Sequence, residues 1–167
     1  MCSQVILVRH AKATYGGMRD RARPLAPHGV QQARRVADAL ATYHAPTQPI
    51  MVLSSPAVRA QMTAAIIAET AGAQLQEYEE IYSGDEDDLA ALATRYLSYT
   101  TIIVGHSPVI PITASMLATP SDPDEISRRG CPTGTAYIFD VPAGVTAVTA
   151  GSLHLRDIVI TPVFPRA

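Results

Sequence analysis

Cysteine and lysine are scarce in these 167 residues, and no long apolar run is present. Two cysteines, Cys2 and Cys131, cannot build a disulfide framework, and neither has the spacing of a metal ligand. A reduced, cytoplasmic protein is therefore expected. Met1 leads straight into Val5-Ile6-Leu7-Val8 with no basic n-region and no extended apolar core, so neither a signal peptide nor a membrane span is expected. Five histidines are dispersed without metal-site spacing. There is no Walker loop and no dinucleotide fingerprint, and the expectation is that no metal or organic cofactor is used. The net charge of −2 argues against nucleic acid or an anionic membrane as partner. One lysine against twelve arginines, in an alanine-rich chain, points to a GC-rich bacterial genome.

What is present is an ordinary globular balance, 47% apolar and 17% charged, at a length that suits a single domain over residues 1–167. Charge is uneven. Seven Lys/Arg accompany only Asp20 from Met1 to Arg35, whereas Glu77 to Asp88 holds seven acids and no base. Two solvated faces would explain this; so would a basic N-terminal segment turned toward an anionic substrate.

Short apolar runs alternate with helical periodicity. Val5–Val8, Ile50–Leu53 and Thr101–Val104 read as buried strands, and Leu75–Tyr78 as a short one. Val30, Ala33, Val36, Ala37, Leu40 and Ala41 mark a first helix, broken by Pro46 and Pro49, with His44 closing it. Ser55-Pro56 reads as the cap and first residue of a second helix, with Val58, Met62, Ala65 and Ile66 as its apolar stripe and Gly72 as its end. Leu89, Leu92, Ala93, Tyr96 and Leu97 mark a third, with Asp85–Asp88 at its positive end. A helix follows Pro108, its start blurred by Pro111. Thr119–Gly134 reads as a long polar connection, and Thr135–Val141 and Val148–Leu155 as closing strands. The alternation predicts an α/β fold, a three-layer α/β/α sandwich around a largely parallel mixed sheet. No internal repeat or domain linker interrupts it.

In such sheets ligands gather where strands end and helices begin. Arg9 and His10 follow the first strand, Arg59 lies in the first turn after the second, and His106 follows Ile102-Ile103-Val104-Gly105. Two guanidinium groups and two imidazoles at equivalent positions suit phosphoryl transfer. Planar arginine forks match phosphate oxygens. A neutral imidazole can attack phosphorus and divide one hard step into two, and flanking cations keep it unprotonated. Gly105-His106-Ser107-Pro108 lacks the second glycine of a nucleophile elbow, which argues against a serine hydrolase.

Val8-Arg9-His10-Ala11 resembles the RHG signature of the histidine phosphatase superfamily, whose fold is phosphoglycerate mutase-like. Ser55-Pro56-Ala57-Val58-Arg59-Ala60-Gln61-Met62-Thr63 resembles its SPxxRAxQT motif, and Val104-Gly105-His106-Ser107-Pro108 its GH turn. Arg23-Pro24-Leu25-Ala26-Pro27-His28-Gly29 and Cys131-Pro132-Thr133 resemble the compact SixA-like branch, named for phosphohistidine phosphatases. The resemblance implies a phosphatase with His10 as nucleophile and Arg9, Arg59 and His106 as its catalytic pocket. Arg23 is a further phosphate contact, with Arg21 close enough to be confused with it, and Ser107 joins the substrate-binding set. Ala11 departs from the usual Gly, which needs negative φ there, and Met62 departs from the usual Gln. Ester phosphatases of the superfamily carry a carboxylic acid before the third helix. Glu79 and Glu80 are candidates for that general acid, or simply part of a solvated acidic edge. The partner implied is a phosphorylated substrate: a phosphohistidine protein, or alternatively a small phosphate ester. A non-catalytic phospho-ligand binder is a third reading, which the presence of His10 opposes.

Overall fold

Apolar strands alternating with amphipathic helices form, in the computed structural model, one six-stranded sheet covered on both faces. The structure describes residues 3–44 and 47–164; Cys2 and the helix-breaking Pro46 lie outside the described residues. In chain order the elements are β1 (Gln4–Arg9), a single 3-10 turn (Asp20–Ala22), α1 (Pro27–Ala41), β2 (Ile50–Ser54), α2 (Val58–Ala71), β3 (Gln74–Glu77) and α3 (Glu80–Ser83). Then come α4 (Glu86–Arg95), β4 (Thr100–Gly105), α5 (Val109–Leu117), α6 (Pro123–Arg129), β5 (Thr135–Asp140) and β6 (His154–Ile160).

The sheet runs β3-β2-β4-β1-β5-β6. Its first four strands are parallel; β5 is antiparallel to β1, and β6 to β5. The middles of the central strands, Val5–Val8, Met51–Leu53 and Ile102–Val104, are apolar and buried at every position because both sides are covered. Leu7, Leu53, Ile103 and Phe139 pack with residues of α4, α5 and α6, while Val8, Val52, Val104 and Ile138 pack with α1 and α2. This is the three-layer sandwich expected from the alternation.

Four local expectations are corrected. First, α2 begins at Val58 behind Ala57, two residues later than Ser55-Pro56 suggested. The Ser55 hydroxyl instead accepts from the Ala57 N–H at 3.2 Å, making a turn that precedes the helix. Its buried face is Ala60, Thr63, Ala64, Ile67 and Ala68, and Ala65 is exposed. Alanines carry little hydrophobic weight, so the bulkier Met62 and Ile66 dominated the stripe; these pack sideways around Ala11, Leu25 and Ala33. Second, the polar 119–134 segment contains α6, with Asp124 and Glu125 in its first turn and Arg128 and Arg129 in its last, charges that suit a helix dipole. Third, a turn that includes Gly151 (φ 69°) displaces the last strand from Val148–Leu155 to His154–Ile160. Fourth, α1 ends at Ala41 with Thr42 as cap, so His44 lies beyond it.

Other signals hold. Gly72 ends α2 at φ 62°. Asp85 caps α4, accepting from the Asp87 and Asp88 N–H groups at 3.1 Å while Asp88 accepts from Asp85 N–H at 3.0 Å. Pro111 is the third residue of α5, where a missing N–H leaves no helical bond unmade.

Candidate active site

The three motifs meet because their strands are neighbours. Arg9 is in register with Gly105, and the His10 N–H donates to the Gly105 carbonyl at 3.0 Å. On the other side of β4, the Ser55 N–H donates to Val104 O at 3.1 Å. Thr63 ties the β1 end to α2: its hydroxyl accepts from Ala11 N–H at 3.1 Å and donates to the Arg59 carbonyl at 2.8 Å. Ala11 in the glycine position causes no strain, since no described non-glycine residue has positive φ. The Met62 thioether accepts from Leu25 N–H at 3.4 Å and so fastens the loop before α1. Gly29 is required for a different reason: a Cβ there would stand 1.9 Å from the Lys12 carbonyl oxygen.

The side chains converge on a cavity of about 250 Å³. It is lined by Arg9, His10, Lys12, Ala13, Tyr15, Arg23, Arg59, His106, Ser107 and Thr133, and none of these is an acid. All six residues that the sequence assigned to the nucleophile and phosphate contacts are thus brought together. Arg21, the competitor of Arg23, turns away to pair with Glu79. Neither Glu79 nor Glu80 lines the cavity, and both are exposed.

His10 is 8% exposed. Its Nδ1 lies 2.7 Å from the Ala11 carbonyl, which can only accept, so Nδ1 carries the proton. Its Nε2 then holds a lone pair, which accepts from Arg59 Nε at 3.2 Å. The His10 pKa is lowered to about 3. Burial is the main cause; the Ala11 carbonyl pulls upward, and His106, Arg59 and Arg9 add to the lowering. The flanking cations invoked from the sequence therefore act in the expected direction but rank behind desolvation. Burial, followed by Arg59, lowers His106 to about 4, while Asp20 opposes the shift. The two imidazoles meet edge to face with centroids 5.2 Å apart. His106 Nδ1 lies 3.3 Å from Arg59 Nη2, and its Nε2 lies 2.8 Å from the Ser55 hydroxyl.

Arg9 donates through Nη1 to the Cys131 carbonyl at 2.7 Å, while its buried Nε has no acceptor among the described residues. Gln32, 1% exposed, braces the cavity floor: it accepts from Lys12 N–H at 2.8 Å and donates to the carbonyls of Thr133 at 2.8 Å and Thr161 at 2.6 Å.

Sequence reasoning missed Asp20 and Tyr82. The Asp20 carboxylate accepts from Arg59 Nη2 at 3.0 Å, Arg23 Nη2 at 2.9 Å and the Tyr82 hydroxyl at 2.7 Å. Its main-chain carbonyl accepts from Arg59 Nη1 at 2.6 Å. Tyr82 first, then Arg23 and Arg59, hold this carboxyl well below the usual range. The one signal available was Asp20's isolation as the only acid among seven bases.

Residues 5–95, more than half of the chain, match the histidine phosphatase superfamily (branch 1). The chain belongs to that superfamily, and it is a phosphatase that acts on a phosphorylated substrate. A structure provisionally named phosphohistidine phosphatase SixA, from Nakamurella multipartitia, superimposes with a TM-score of 0.81 at 28% identity, covering 96% of this chain and 97% of that one. Another so named, from Agrobacterium tumefaciens, gives 0.78 at 24% identity, over 96% and 99%. The protein histidine phosphatase SixA complexed with tungstate gives 0.74 at 19% identity, over 93% and 95%. At these two lower identities the likeness is one of fold. No curated protein matches the sequence. Among the described residues no helix is long and apolar enough to cross a membrane.

Proposed function

We propose that this phosphatase hydrolyses phosphohistidine on a protein through a covalent phospho-His10 intermediate, without a metal ion. The observation that carries the reading is the state of His10: neutral, its proton committed to Ala11 O, and its unprotonated Nε2, which Arg59 Nε–H holds in place, on a ring that lines an arginine-rich cavity. In the first step Nε2 attacks phosphorus and the bond to the substrate's imidazole nitrogen breaks. The imidazole leaves with the bonding pair and takes a proton from solvent. In the second step water attacks phospho-His10, its proton passes to solvent, and phosphate departs as His10 regains its lone pair. Arg59, Arg9, Arg23 and His106 hold the equatorial oxygens, which is the main demand of phosphoryl transfer. The bare Arg9 Nε–H finds its acceptor on the phosphoryl group.

Two features support phosphohistidine over an ester. An alkoxide leaving group needs a positioned acid, whereas imidazole, with a conjugate-acid pKa of about 6.5, needs little help. The cavity walls carry no carboxylic acid, and Glu79 is occupied by Arg21. Beyond Ser107 the site continues into a groove of about 520 Å³ lined by residues including Pro111, Ile112, Ile126 and Cys131, room for the polypeptide that bears the phosphohistidine. The scarcity of cysteine supports a reduced cytoplasm as the setting, and the excess of arginine over lysine supports a bacterial one. Initial rates on a phosphohistidine peptide and on sugar phosphates test the assignment. Rapid hydrolysis of the peptide with slow ester turnover is expected; fast turnover of sugar phosphates by an enzyme inert to phosphohistidine overturns it.

A further inference from the structure

Arg59 is a charged group buried to 5% exposure, and its N–H groups need acceptors that fix its plane. One goes to His10 and one to His106. Asp20 supplies two more acceptors, its main-chain carbonyl for Nη1 and a carboxylate oxygen for Nη2, which leaves one Nη1–H of the five for substrate. The other carboxylate oxygen takes Arg23, whose Nη1 is anchored on the Thr14 carbonyl at 2.9 Å. Asp20 thus bridges two guanidinium groups that would otherwise repel each other, yet it does not itself line the cavity that both of them line.

The acid is in turn held from α3. Tyr82 donates to it, the Arg21 guanidinium lies 4.2 Å over the Tyr82 ring, and Arg21 pairs with Glu79. The acidic segment that the sequence offered as a source of a general acid grips the turn bearing Asp20.

We infer that Asp20 is a positioning residue that orients Arg59 and Arg23 as one phosphate clamp. This rests on Arg59 being the clamp proposed above. The carboxylate bond is what sets the angle of each fork, so its loss misplaces donors while leaving the fold, the nucleophile and the net set of cations intact. Misplacement on the ångström scale costs on the order of 100-fold in rate.

The test is a cycle of D20N, R59K and the double variant. It is read as kcat/KM on a phosphohistidine peptide, vanadate affinity by calorimetry, and melting temperature. D20N keeps the shape and should lose about 100-fold in kcat/KM and bind vanadate more weakly, with melting little changed. D20E retains the charge and should recover part of the loss. Because Asp20 acts through Arg59 as well as Arg23, D20N in the R59K background should cost clearly less than it does in wild type, the remainder reporting the release of Arg23. Independent, multiplicative losses overturn the inference. Tighter vanadate binding by D20N makes Asp20 a competing anion and overturns it too. A lowered melting temperature with kcat/KM intact reduces Asp20 to a structural bond. An R59K enzyme with full activity removes the clamp itself, and with it the role of Asp20; failure of D20N alone leaves the clamp standing.

Discussion

An unfolded histidine takes up a proton near pH 6.5, whereas folded His10 stays neutral down to about pH 3 and His106 to about pH 4. Between these limits the unfolded state binds more protons than the native one, so stability falls as pH falls. The loss begins near pH 6.5 and is complete only at the folded values. From pH 7 to pH 5, keeping His10 neutral costs about 2 kcal/mol, and His106 about the same. Acidification should therefore remove about 4 kcal/mol, a large share of what a domain of this size has. His44, also lowered by burial, acts with the same sign. Asp20 and Glu79, both lowered by their partners, contribute mainly at lower pH, as unfolded carboxylates protonate near pH 4. Urea denaturation at pH 7 and pH 5, in buffer free of phosphate, measures the total. His10→Gln isolates one group: its loss on acidification should be about 2 kcal/mol smaller than that of wild type. Equal losses in the two proteins would show that His10 titrates normally and is not held as a neutral nucleophile.

Arg59→Lys keeps the charge but loses the fork, and should lower kcat about 100-fold or more, as for a preorganised donor removed. Vanadate should inhibit wild type and EDTA should not; activity that a chelator abolishes and added metal restores would contradict the proposed chemistry. Replacing Glu79 and Glu80 together with Gln should hardly change kcat on a phosphohistidine peptide, and a severe loss there would return one of them to the role of acid. Gly29→Ala drives a Cβ into the Lys12 carbonyl and should cost about 1–3 kcal/mol of stability together with activity, which urea melts and rate assays both detect.

The central residues were legible because each stands at the end of a buried strand or in the first turn of the helix that follows it, and parallel strand ends share one edge. Arg9, His10, Arg59 and His106 needed only that topology to meet. Alanine concealed the packing face of α2, since its small side chains carry little apolar weight though they admit close approach. Dipole-matched charges hid α6 within a stretch that reads as loop. Asp20 was illegible for a different reason. Its partners Arg59 and Tyr82 lie 39 and 62 residues away, and no local periodicity encodes a carboxylate that closes a fork across the sheet edge.

The covalent step is open to direct observation. Wild type mixed with a labelled phosphohistidine peptide, quenched within milliseconds without acid and mapped by peptide, should carry the label on His10. His10→Ala, folded as judged by circular dichroism, should show neither label nor turnover. Label on Ser107, or substantial turnover by unlabelled His10→Ala, would contradict the mechanism.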